Sequence, residues 1–153
     1  MFLVDLIHAN SRQIETVKHM LAGLVRTGTV SDLDQQKGYR LDWGDDGEGG
    51  RWKSPWYPHP ESGGDAKTWV PLSKGQTVTS INPTGDPRQG FLIRGGFSDG
   101  NPQPSQNLQE NVFAFGNVRI EVVAGGVKVT AGGTVFEIST SGIKSTAADY
   151  QFD

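Results

Sequence analysis

Apolar residues change their spacing along the chain, and each change marks a different kind of element. Leu3, Ile7, Asn10, Ile14, Val17, Leu21 and Leu24 recur at alternating four- and three-residue steps, the period of one helix face. Such a stripe is read either as an amphipathic helix lying on its own domain or as the heptad seam of a self-associating helix. Asn10 and Gln13 also form a capping pattern, which predicts a break there into an arm and a helix, with Gly23 and Gly28 ending the segment.

From Val25 the period falls to two. Val25, Thr27, Thr29 and Ser31 alternate with Arg26, Gly28, Val30 and Asp32, and an acidic turn is expected at Asp32 to Asp34. Tyr39 to Trp43 reads as the returning strand of a meander. Trp69 to Leu72, Gln76 to Pro83 and Gly90 to Phe97 read as three more strands, making five short strands with glycines at the bends, the pattern of an OB-like Greek-key barrel. Between them, residues 44–67 form a long loop, acidic and glycine-rich first and then carrying Trp52, Trp56 and Tyr57 among prolines. A loop of that length is functional or packed under something.

The polar run Asp99 to Asn107 marks a domain boundary, and beyond it the pattern changes again. Short alternating strands such as Val118-Arg119-Ile120-Glu121-Val122 are separated by glycines every eight to ten residues. One such segment buries too little to stand alone, because small meanders expose their edges. Three copies about a threefold axis cover Val118, Ile120, Val122, Val127, Val129, Val135, Ile138 and Ile143 as a trimer core and leave Arg119, Glu121 and Lys128 outside. The simpler alternative is a sheet folded back on the barrel. The expected organisation is an arm and helix over 1–24, the barrel over 25–98, a linker over 99–110 and an intertwined trimeric β-helix or β-prism over 111–153.

Composition narrows the function classes. Twenty-one glycines, eight prolines and an apolar fraction of 35% suit a mainly β chain rather than a helical core. A net charge of -3 offers no general attraction to nucleic acid, and the absence of cysteine excludes disulfides and thiolate chemistry. The apolar start at residues 1–7 is too short to span a membrane and lacks a basic flank, so no signal peptide is expected. His8, His19 and His59 lack metal-ligand spacing, and no nucleophile motif is present, so no enzyme activity is expected. Asp45, Asp46 and Glu48 do not follow an EF-hand spacing and read as a solvated turn, not a calcium site. Trp43, Trp52, Trp56, Tyr57 and Trp69, interleaved with Arg51, Lys53 and Lys67, support a competing class, a carbohydrate- or single-stranded nucleic-acid-binding OB-fold. The other reading makes Trp52, Trp56 and Tyr57 a contact loop against a hub protein or a neighbouring subunit.

The order of parts resembles the baseplate assembly protein V family of phage tail spikes. The resemblance rests on Val25-Arg26-Thr27-Gly28-Thr29-Val30, Asp42-Trp43, the run Trp69 to Val78, Gly90 to Phe97 and the exit Asn101-Pro102-Gln103-Pro104. It implies an OB-fold domain, a homotrimer, attachment to a baseplate hub, and a spike pushed through the host outer membrane when the sheath contracts. It also implies a virion or tail-like particle assembled in the host cytoplasm, with no nucleic-acid partner. Some spikes of this kind end in a His-x-His motif that holds iron at the tip; no histidine follows His59 here, so no cofactor is expected. Tyr150 and Phe152 packing across the axis, a separate tip-capping protein, or a chain continuing further are the open ways to close the tip.

Overall fold

The structure is a computed structural model that describes residues 2–150. It is mainly β, with one N-terminal helix and two antiparallel five-stranded sheets. The chain divides into two compact units, Met1–Pro102 and Gln103–Asp153.

In the first unit, α1 (Phe2–Leu24) is one uninterrupted helix of 23 residues, and the break expected at Asn10 does not occur. Asn10 is followed by the good helix formers Arg12, Gln13 and Glu15, so continuing the backbone ladder costs less than opening it for a side-chain cap. The helix passes directly into β1 (Val25–Asp34), which pairs with β2 (Gly38–Asp45) and with β4 (Thr77–Ile81). Adding β3 (Arg51–Lys53) and β5 (Phe91–Arg94) gives the order β3-β2-β1-β4-β5, and the two edge strands are not hydrogen-bonded to each other.

Three expectations need correcting. The strand expected at Trp69 to Leu72 is irregular, and the third strand is instead β3, inside the segment read as a loop. Its partner is β2 through Asp42 and Asp45, and three residues with the sequence Arg-Trp-Lys give too short an alternation to read. The acidic run at Asp32 to Asp34 lies within β1, because a bulge at Ser31 lengthens the strand; the turn falls at residues 35–37, where Asp34 Oδ1 accepts from the Gln36 and Lys37 N–H groups.

The core of this unit is Val30, Tyr39, Leu41, Tyr57, Leu72, Val78 and Leu92, with Trp43 packed against it. Within β1 the inward positions are therefore Arg26, Gly28 and Val30 and not the Val25, Thr27, Thr29 set. Gly38 is required at the start of β2: its φ is +91°, and a Cβ there meets the Tyr57 carbonyl oxygen at 2.0 Å. At the foot of α1, Gly23 and Gly85 let helix and the turn Pro83–Gly85 touch backbone to backbone, since a Cβ on Gly85 meets the Met20 carbonyl oxygen at 2.5 Å.

The second unit is an up-and-down meander. Strands β6 (Glu110–Phe115), β7 (Val118–Val123), β8 (Gly126–Ala131), β9 (Thr134–Ser139) and β10 (Gly142–Thr146) start eight residues apart and pair in sequence order. Each pair is joined by a two-residue turn, and Gly116 and Gly132 supply the positive φ that a tight hairpin needs.

Candidate functional site

The register of the second sheet sorts its side chains onto two chemically opposite faces. Because every turn has two residues, the inward parity flips from strand to strand. One cross-strand row runs Asn111, Val122, Val127, Ile138, Ile143, and the next runs Phe113, Ile120, Val129, Phe136, Ser145. Phe115, Val118, Ala131 and Thr134 complete this apolar face. The opposite face carries the row Val112, Glu121, Lys128, Glu137, Lys144, a ladder of alternating charge. Arg119 reinforces it, donating to Glu121 Oε1 at 2.7 Å, to Glu110 Oε1 at 3.3 Å and to the Pro104 carbonyl at 2.8 Å. That arginine contact is the first cause of the lowering of the Glu121 carboxyl below its ordinary range.

The register divides the residues expected in the trimer core between the two faces. Val118, Ile120, Val122, Val127, Val129, Ile138 and Ile143 share the apolar face, but Val135 stands opposite Thr130 and Thr146 on the polar one. Val135 and Ile138 are three residues apart in one strand, an odd step that puts them on opposite faces. Phe113, Phe115 and Phe136 lie with Ile138 on the apolar side. Among the described residues of this unit no side chain is buried, and Phe115 and Ile143 are 79% and 70% exposed. Uncovered apolar patches on proteins are often contact surfaces.

The expected contact loop is partly absorbed by its own unit. Tyr57 is fully buried and offers nothing to a partner: its backbone exchanges hydrogen bonds with Tyr39, its hydroxyl donates to Asn82 Oδ1 at 2.8 Å, and burial pushes its phenol up. Ser54 anchors the same segment, its Oγ accepting from the Leu41 N–H at 2.8 Å. Trp52 remains half exposed and meets Trp43 edge-on, with the Arg26 guanidinium lying against both rings at 4.6 and 4.7 Å. The Trp56 ring is approached by Lys37 and Arg40 at 5.7 and 5.5 Å. These indole faces are occupied by cations of the same chain.

A further latch had no sequence signal. Glu61 Oε2 accepts from the Thr68 hydroxyl at 2.7 Å, while Oε1 accepts from the Val70 N–H at 2.9 Å and from Arg94. The Thr68 contact leads in holding the Glu61 carboxyl below the usual range. His59 joins the same region to β2. Its Nε2 faces the Gln35 carbonyl at 3.1 Å and donates to it, and Nδ1 lies 3.0 Å from the Tyr39 hydroxyl oxygen. Tyr39 Oη in turn accepts from the Leu72 N–H.

The remaining candidate chemistry is dispersed. His8 and His19 lie on α1, away from His59 in sequence and element, and no group of histidines and carboxylates suited to a metal occurs among the described residues. In the acidic turn, Asp45 and Asp46 cap backbone amides of their own loop, Asp46 Oδ1 accepting from the Glu48 and Gly50 N–H groups. Phe152, named for the tip, lies outside the described residues. No described helix is long and apolar enough to cross a membrane. Compared with protein-family models and with curated proteins, the chain has no match.

Proposed function

We propose that the chain is a non-enzymatic structural spike, a homotrimer held on the baseplate hub of a contractile phage tail or tail-like device, whose C-terminal unit is driven through the host outer membrane. The observation that carries this reading is the uncovered apolar face of the second sheet, backed by a charge ladder and joined by two-residue turns. Three copies with these faces toward one axis form a prism in which the phenylalanines, valines and isoleucines are buried. The ladder of Glu121, Lys128, Glu137 and Lys144 then stays in water. Each unfolding chain must break pairing with two others, and slow unfolding is what a load-bearing part needs.

The first unit supports the same reading. A central β1 flanked by β2 and β4, with β3 and β5 outside them, is the pairing of an OB-like Greek-key barrel whose last seam is open. Its outer face carries Val25, Phe91 and Ile93, all about half exposed or more, a second apolar area suited to a neighbouring subunit. The competing assignment, a carbohydrate- or single-stranded nucleic-acid-binding module, needs free indole faces. Arg26, Lys37 and Arg40 already lie against Trp43, Trp52 and Trp56, which leaves Trp69, 63% exposed and tilted against the His59 ring, as the indole such a module would use.

Sedimentation at micromolar concentration tests the proposal. A trimer that survives detergent and appears as an elongated particle is the expected result. A monomer that binds oligonucleotides or glycans would leave the binding module in its place.

A further inference from the structure

Helix α1 presents the same problem as the second sheet, in a form that identifies its occupant. None of its residues is buried, and Leu3, Ile7, Ile14, Val17 and Leu21 are each more than half exposed. A solitary helix of 23 residues, about 34 Å long at 1.5 Å per residue, is marginal in water without a packed apolar face. Its last turn is fixed to the first unit, where Asn82 Nδ2 donates to the Gly23 carbonyl at 2.7 Å and the Asn82 N–H to the Leu24 carbonyl at 2.8 Å. The rest of the helix touches little of its own chain.

Heptad positions assign the stripe. Ile7, Ile14 and Leu21 fall at a; Leu3, Asn10, Val17 and Leu24 fall at d. Every ionisable side chain then lies off the seam: Asp5, Arg12 and His19 at f, His8 and Glu15 at b, and Lys18 at e. Lys18 is paired within its own helix, to Glu15 at 2.9 Å, so no like charges face each other when copies of the helix align. A concavity on the helix surface is lined by Asn10, Gln13, Ile14 and Val17, with Lys18 on its rim. Those four positions, d, g, a and d, are a four-residue hole of the kind that receives a knob from a facing helix.

We infer that α1 is one strand of a parallel three-stranded coiled coil formed with the α1 helices of two other copies of this chain. Residue type at the seam does not itself select three strands: Ile7 and Ile14 at a with Leu3 and Leu24 at d are compatible with two, and only Val17 at d leans toward more. The choice of three rests on the trimeric reading proposed above. Parallel alignment brings all three first units out at one end of the bundle, because each helix runs straight into its β1. In this arrangement the Asn10 amides form a single polar layer whose hydrogen bonds are satisfied only in register, so Asn10 fixes alignment at a cost in stability.

The absence of native cysteine makes the test direct. In the full chain, Ile14→Cys places three thiols around the axis, whereas Arg12→Cys places them on the outside as a control. On mild oxidation Ile14→Cys is expected to form disulfide-linked pairs roughly tenfold faster or more than Arg12→Cys, since the bundle raises the local thiol concentration. Asn10→Val is expected to raise the melting temperature of the helical signal. Equal cross-linking of the two variants overturns the inference and includes the case in which a helix of another protein fills the groove. If sedimentation of the same samples still returns a trimer, the spike reading stands without this coiled coil. A monomer removes both. A lowered melting temperature for Asn10→Val overturns the polar-layer role.

Discussion

Single residues in the first unit do work that their neighbours in sequence do not announce. Asn82 is fully buried and ties three parts together: the Tyr57 hydroxyl, the carbonyls that end α1, and the strand it leaves. Asn82→Ala removes the Asn82 bonds to the Tyr57 hydroxyl, which keeps Ser80 as a neighbour, and to the partly buried Gly23 carbonyl, and loss of hydrogen bonds of this kind costs about 1–3 kcal/mol. Denaturant unfolding is expected to register a loss in that range, and a change below about 0.5 kcal/mol would contradict the assigned role. Glu61 carries a pH dependence. Its folded carboxyl lies below the ordinary 4.5, so its contribution is complete above that value and is lost as pH falls through the lowered one. Protection of the Val70 amide from hydrogen exchange, corrected for intrinsic rates, is expected to hold down to the ordinary carboxyl value of 4.5 and to drop as the pH falls below it, and Glu61→Gln to flatten that profile. Equal acid loss in Glu61→Gln would assign the change to another group.

Elements were legible in the sequence where a long period repeats and obscure where it is short or interrupted. The helix stripe, the alternation from Val25 and the strands between glycines could all be read, because each keeps its apolar side chains on one face at a fixed period. What failed was local. β3 has three residues, the Ser31 bulge shifts β1 by one, and Trp69 to Leu72 imitates a strand while being held by side-chain bonds through Glu61 and Tyr39. The residues expected in one core fall on two faces, Val135 apart from the other seven, since the faces of β9 depend on turn length and not on apolarity alone. The difference is testable. Phe136→Thr is expected to weaken self-association, because Phe136 is cross-strand to Val129 on the apolar face. Val135→Thr, next to it on the polar face between Thr130 and Thr146, is expected to leave assembly within about 0.5 kcal/mol of the parent. Sedimentation equilibrium compares the two, and equal weakening would return Val135 to the interface.

At the scale of the molecule, the two units differ in where their stability comes from. The first has a small closed core of seven buried apolar side chains. The second has none among its described residues, and on the trimeric reading proposed above its apolar rows are covered by other chains. A sheet stabilised this way cannot have a folding free energy independent of protein concentration. For three chains, tenfold dilution shifts the balance toward separated chains by two factors of ten, about 2.7 kcal/mol per trimer. The denaturant midpoint of the sheet signal is therefore expected to fall on dilution, provided unfolding and refolding curves coincide after long incubation. Kinetic stability is expected alongside it, seen as sheet signal that persists for hours at denaturant concentrations where refolding no longer occurs. A midpoint that stays fixed across a hundredfold range of about 1 to 100 μM, with coincident curves, would mean that the second sheet stands alone. The spike reading would then lose its carrying observation, because an apolar face that is stable in water has no need of two more copies to cover it.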